Sequence, residues 1–205
     1  MPTDRPPLRL GSVEKPPPAV GAADHLLYIR AMMERGGSFT AVPGWGAFAV
    51  GLTAVAAAWF ASRQRSEAAW LLVWLGEATV AVLLGGGMLV RKARASGVAL
   101  DSGPARKYFL SLIPPLVAGA LLTLVLWRAE QPALLHGMWL LLYGTGTVTG
   151  GVYSVPVVPM MGLAFMALGG LALLTPPVLA DAFMAAGFGG LHLLFGWIIA
   201  RNYGG

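Results

Sequence analysis

The stretch AAWLLVWLGEATVAVLLGGGMLV, Ala68 to Val90, sets the frame for everything else in this chain. It is long enough to cross a bilayer, since a hydrocarbon core of about 30 Å needs about 20 apolar residues rising 1.5 Å each. A carboxylate, Glu77, sits near its middle. An ionisable group at that depth costs about 3 kcal/mol on the insertion scale, whereas each Leu or Val returns about 0.3–0.6. The span contains ten Leu and Val, so it still inserts, and Glu77 needs a partner inside protein.

Composition extends this reading to the whole chain. Only 11% of the 205 residues are charged and 57% are hydrophobic, far from the roughly 25% charged residues of soluble domains. The expectation is an all-α, single-domain, polytopic membrane bundle. There is no cysteine, which removes disulfides, thiolate metal sites and cysteine nucleophiles. The formal charge of +5 would suggest nucleic acid in a soluble protein. Here the cations flank hydrophobic runs, so orientation and anionic lipid headgroups explain them and no nucleic-acid partner is expected.

Residues 1–21 form a Pro-rich, charged tail with too little apolar surface to fold, expected to be disordered and cytoplasmic. The first twenty residues lack an apolar run, so no cleavable secretory signal is read there. Residues 22–205 are read as the membrane domain. It begins with an amphipathic helix at about 24–35, N-capped by Asp24, with Leu26, Ile29 and Met33 on one stripe. Too short to span, that helix is expected to lie in the headgroup plane or against the bundle.

Six spans follow, at about Trp45–Phe60, Ala68–Val90, Tyr108–Trp127, Leu134–Tyr153, Val157–Leu174 and Ala182–Ala200. The first is short, and Phe39–Pro43 is expected to complete its apolar length. RKAR stops the second, and Pro114-Pro115 should kink the third. The loop RKARASGVALDSGPARK carries five cations and one Asp, against Arg63, Arg65 and Arg128 on the opposite face. That asymmetry predicts both termini in the cytoplasm. Trp45, Trp59, Trp70, Trp127 and Trp139 fall near span ends, where an interfacial belt is expected. The two halves show no convincing inverted repeat.

Polar residues within the spans define the candidate site. Glu77 fits either proton or cation handling, or a hydrogen bond that locks helices together. His192 lies at nearly the same depth in the sixth span and is its candidate partner, although a lone membrane His also serves as an interhelical hydrogen-bond group. Tyr143, Thr145, Thr147 and Thr149 alternate with glycines in the fourth span. Such a run suits either a discontinuous helix exposing backbone to a substrate or close packing through Gly146 and Gly150, with the hydroxyls bonding their own helix. His25, His136 and His192 occupy different depths, so neither a metal nor a haem is expected, and Asp181 and Glu130 read as solvated loop ends. No catalytic motif is present, so the chain is not read as an enzyme.

The run YIRAMMERGGSFTAVPGWG, Tyr28 to Gly46, resembles the opening of a family of small six-span bacterial membrane proteins. SGPARK, Ser102 to Lys107, and GFGGLHLLFGWIIARNYGG, Gly187 to Gly205, resemble the same family. The resemblance implies a bacterial inner membrane protein and carries over no substrate, cofactor or catalytic residue. The expected function is therefore a non-enzymatic accessory or scaffold subunit. It would contact membrane lipids and other membrane subunits or copies of itself. The alternative is a small-solute or proton-coupled transporter built on Glu77, His192 and the threonines.

Overall fold

A computed structural model of the chain describes residues 21, 25–27, 29 and 37–204. All regular structure among them is helical. The N-terminal tail, expected to be disordered, and most of the expected interfacial helix lie outside the described residues. Of that helix, His25, Leu26, Leu27 and Ile29 are helical and exposed.

The main body consists of α1 (Gly44–Ala61), α2 (Glu67–Ala95), α3 (Gly103–Arg128), α4 (Leu135–Gly151), α5 (Val157–Leu174), α6 (Ala180–Met184) and α7 (His192–Tyr203). A seven-residue π-helical segment, Ala185–Leu191, joins α6 to α7. With the 3₁₀ turn at Pro177–Leu179, α6 and α7 form one helical run of 27 residues, Pro177–Tyr203. That run, α1, α2, α3 and α5 are the five helices long and apolar enough to cross a membrane, while α4 has 17 residues.

Local chemistry sets the ends. Ser66 and Ser102 cap α2 and α3 by accepting from the Ala69 and Ala105 amides at 3.2 and 3.4 Å, each satisfying an orphan donor of a first turn. RKAR ends the apolar part of α2 but not the helix, which continues to Ala95 with Lys92 and Arg94 in its last turn, where cations meet the negative end of the helix dipole. Gly97 then takes φ of 64°, and the Val98 amide reaches back to Ala93 O at 2.9 Å, a glycine-dependent stop. After α3, Glu130 takes the equivalent left-handed position at φ of 55°, and the Gln131 amide bonds Leu126 O at 2.9 Å. α3 remains one helix through Pro114 and Pro115.

Phe39–Pro43 does not lengthen α1. It is non-helical and packed inside, with the Phe39 amide donating to Tyr153 O at 2.6 Å and Ser154 Oγ donating to Phe39 O at 2.8 Å. Pro43 caps α1 from an extended backbone, which closes the helix to further N-terminal growth. Phe39, Ala41 and Val42 join Ala93, Ala105, Tyr108, Val155, Val158 and Ile199 in one of two cores, at the end of the bundle that carries Lys92. The second core is built from Ala57, Ala58, Ala61, Trp74, Leu140, Met161, Phe165 and Met184.

Glycines spaced by seven residues assemble the centre. In the antiparallel α4–α5 pair, a Cβ on Gly144 would stand 2.7 Å from Gly162 O, and one on Gly169 would stand 2.9 Å from Gly137 O. The α1–α7 pair repeats the device, with Gly44 against Ala200, Gly51 against Leu193 and Gly196 against Phe48. Two successive turns of helix bring residue i+7 back to the same face, so these glycines form seams along which backbones nearly touch. α2 packs mainly on α1, and α3 mainly on α4. These two are the least buried spans, at 11% and 6% of their apolar windows.

Candidate functional site

The six candidate polar residues do not form one site. Tyr143 and His192 meet: the Tyr143 hydroxyl lies 2.7 Å from His192 Nε2. His192 Nδ1 is 2.9 Å from Phe188 O. A carbonyl oxygen only accepts, so Nδ1 carries the hydrogen, and Nε2 accepts from the Tyr143 hydroxyl. That assignment satisfies a neutral imidazole completely. The π-helical segment ends where His192 begins, and its glycines allow the close approach that places the ring. A Cβ on Gly187 would sit 2.4 Å from Leu140 Cδ2, and one on Gly189 would sit 2.7 Å from Val55 Cγ2. His192 is 5% exposed, and Phe165, Phe188 and Tyr143 surround it with ring centroids 5.3–6.3 Å away.

The three threonines turn inward on their own helix. Thr145 bonds Leu141 O at 2.9 Å, Thr147 bonds Tyr143 O at 2.8 Å, and Thr149 reaches both Thr145 O and, across to α3, Ser111 O, each at 2.9 Å. Gly146 and Gly150 face α3, where a Cβ would stand 3.0 Å from Leu112 O and 3.1 Å from Tyr108 O. These hydroxyls and glycines are therefore occupied in helix packing.

Glu77 takes its partner from α1. Thr53 Oγ1 lies 2.8 Å from Glu77 Oε1 and 2.9 Å from Val50 O. No direct hydrogen bond joins Glu77 to its candidate partner His192: Glu77 bonds Thr53 and His192 bonds Tyr143. Matched depth along two spans does not place them side by side. Thr53, Ala56, Ala57, Phe60, Val73, Glu77 and Val80 line an open cleft of about 300 Å³ between α1 and α2.

A third polar cluster joins residues that, taken singly in the sequence, look interfacial or solvated. Trp70 Nε1 donates to Asp181 Oδ1 at 2.7 Å, so Asp181 is a hydrogen-bond partner and not a free loop end. The Trp70 ring stacks on Trp139, 5.6 Å between centroids and 7° from parallel, and approaches His136 at 4.3 Å. Trp139 Nε1 donates to Thr123 at 2.8 Å. These two tryptophans thus hold α2, α3, α4 and α6 together, whereas Trp45 and Trp59 remain exposed as a belt requires. One turn from Trp70, Trp74 is 4% exposed and its Nε1 has no acceptor among the described residues. Nothing in the local sequence signalled the Trp70–Asp181 bond, which joins residues far apart in the chain.

At the opposite end, Lys92 Nζ donates to Val42 O at 2.9 Å, to Tyr203 O at 3.1 Å and to Gly204 O. It holds the C-terminal carbonyls of α7 to the segment before α1. Among the described residues no group of three His, Asp or Glu is placed to hold a metal ion. Comparison of the chain with protein-family models, curated proteins and solved structures finds no match.

Proposed function

We propose that this multi-pass protein is a non-enzymatic accessory or scaffold subunit of a bacterial inner-membrane complex, in the family suggested by the stretches around Phe39, Ser102 and Asn202. The observation that carries the proposal is the contrast between a satisfied interior and an uncommitted exterior. Inside, Tyr143, His192 and the threonines spend their hydrogen bonds on one another and on backbone. Outside, α2 presents Gly76, Gly86 and Gly87 with no atom within 4 Å of a Cβ added there. In membranes, small residues on a helix face let another helix approach closely.

Six spans fit this reading. The 17 residues of α4 rise about 25 Å and fall within the spanning range of about 17–25 residues. Arg91, Lys92, Arg94, Arg106, Lys107 and Arg201 then share one side, which favours both termini in the cytoplasm. Arg63 over Trp59 and Arg201 over Trp197, at 3.6 and 4.7 Å, would anchor opposite faces among lipid headgroups.

The Glu77–Thr53 cleft favours a second reading, a proton-coupled or small-solute carrier. Native mass spectrometry after mild extraction separates the two. A stoichiometric partner protein is expected for the accessory subunit; a lone protomer or homo-oligomer with a retained small mass would overturn it. Glu77→Gln follows: an accessory role predicts an altered complex or stability, and a carrier predicts lost uptake with folding intact.

A further inference from the structure

We propose that the α1–α2 cleft is a proton-binding site accessible from the apolar phase of the membrane, in which Glu77 carries the proton and donates it to Thr53 Oγ1. The inference stands whether the protein is a subunit or a carrier. It rests on a hydrogen inventory. Thr53 Oγ1 has one proton and three oxygens within reach: Glu77 Oε1 at 2.8 Å, Val50 O at 2.9 Å and, more weakly, Ala49 O at 3.5 Å. Val50 O can only accept. If Glu77 is ionised, the two short contacts share the single Thr53 proton. If Glu77 is a carboxylic acid, its O–H donates to Thr53 and the Thr53 O–H donates to Val50, so both contacts are satisfied in series.

The surroundings supply no alternative counter-charge. α1 has no ionisable side chain from Gly44 to Ala61, and the nearest on α2 are Glu67 and Arg91, toward its two ends. His136 and Asp181 meet α2 at Trp70, about two turns, or 10 Å of rise, from Glu77. An isolated carboxylate in an apolar cleft is expensive, whereas the acid with its acceptor in place is not. The carboxyl is half-buried, and the cleft that it lines is otherwise apolar apart from Thr53, with Phe60 and Val80 of its lining exposed. An apolar reagent can therefore reach it from the side.

Carbodiimides test both halves of the proposal on the unaltered full-length protein in lipid bilayers. A carbodiimide takes the acid proton on nitrogen while the carboxyl oxygen adds to its central carbon, and an oxygen-to-nitrogen acyl shift leaves a stable acylurea. Peptide mass spectrometry should find the adduct of a hydrophobic carbodiimide at Glu77, with a water-soluble carbodiimide labelling it much less. No adduct at Glu77, or equal labelling by both reagents, overturns the proposal. Infrared difference spectra of Glu77→Gln against the native protein should show loss of a carboxylic-acid C=O band. Thr53→Val should move that band to higher frequency by removing the acceptor, and Thr53→Ser should restore it. A carboxylate signal in place of the acid band, or an acid band unmoved by Thr53→Val, refutes the hydrogen-bond assignment.

Discussion

At the scale of single residues, the Tyr143–His192 bond shows how a membrane interior accommodates an imidazole. Interhelical hydrogen bonds in membranes average only about 0.6 kcal/mol, because the unfolded chain in the bilayer finds other partners. An acceptor left buried and unpaired costs more, about 1–3 kcal/mol. Tyr143→Phe leaves His192 Nε2 in that state at 5% exposure, so a loss of about 1–2 kcal/mol is expected on denaturant titration in detergent. The partner substitution His192→Phe, combined with Tyr143→Phe, should cost less than the two single losses together, because the double variant leaves neither member of the Tyr143–His192 bond unpaired. Additive losses would show that the pair is not coupled. Tyr143 and His192 were both legible in the sequence as polar residues within spans, but their pairing was not. The residues between them say nothing about which faces of α4 and α7 meet.

Among elements, the heptad glycines decide which helices touch, and they divide the glycines into two kinds. Gly144 has no room: its Cβ would meet Gly162 O at 2.7 Å and the Met166 amide nitrogen at 2.8 Å, backbone atoms that cannot swing aside. Gly86 has open space around it. Alanine is better than glycine in a helix by about 0.8–1 kcal/mol. Gly86→Ala should therefore leave thermal stability in detergent unchanged or raised, while Gly144→Ala should lower it by about 1–3 kcal/mol as α4 and α5 are forced apart. Equal effects at the two sites would contradict the α4–α5 seam. The sequence signalled the close spacing of Gly146 and Gly150, which serves α3, but the longer repeat of Gly137, Gly144 and Gly151 passed unnoticed. The π-helical segment before His192 also escaped a reading based on 3.6 residues per turn. Its glycines weaken the α-helix, and at Gly187 and Gly189 there is no room for a side chain beside Leu140 and Val55.

For the whole molecule, three segments far apart in the sequence meet at one end of the bundle. Phe39–Val42, Ala105 and Ile199 share a core there, and Lys92 donates across it to Val42 and Tyr203. With this end on the cytoplasmic side, the absence of native cysteine makes orientation directly measurable. Ser62→Cys, after α1, should react with a membrane-impermeant maleimide on intact cells. Ser96→Cys, after α2, should react only once the membrane is opened. The reverse pattern would invert the topology, and reaction of both on intact cells would show that α2 does not cross.

The apolar helices were legible in the sequence because apolar length is a local quantity, but several ends were not: α2 and α3 each extend five residues past one expected end, and the run Pro177–Tyr203 begins five residues early. α5 runs from Val157 to Leu174 as read, and α1 and α4 depart by only a residue or two at each end. Partner choice depends on which helix faces meet, and that is a property of the assembled bundle. Thr53 carries no charge to mark it as the partner of Glu77, and Phe39–Pro43 is as apolar as a span but has its backbone bonded to Tyr153 and Ser154. Hydrophobicity marked these segments as apolar. Only tertiary packing, which joins Glu77 to Thr53 and His192 to Tyr143, decided which faces meet.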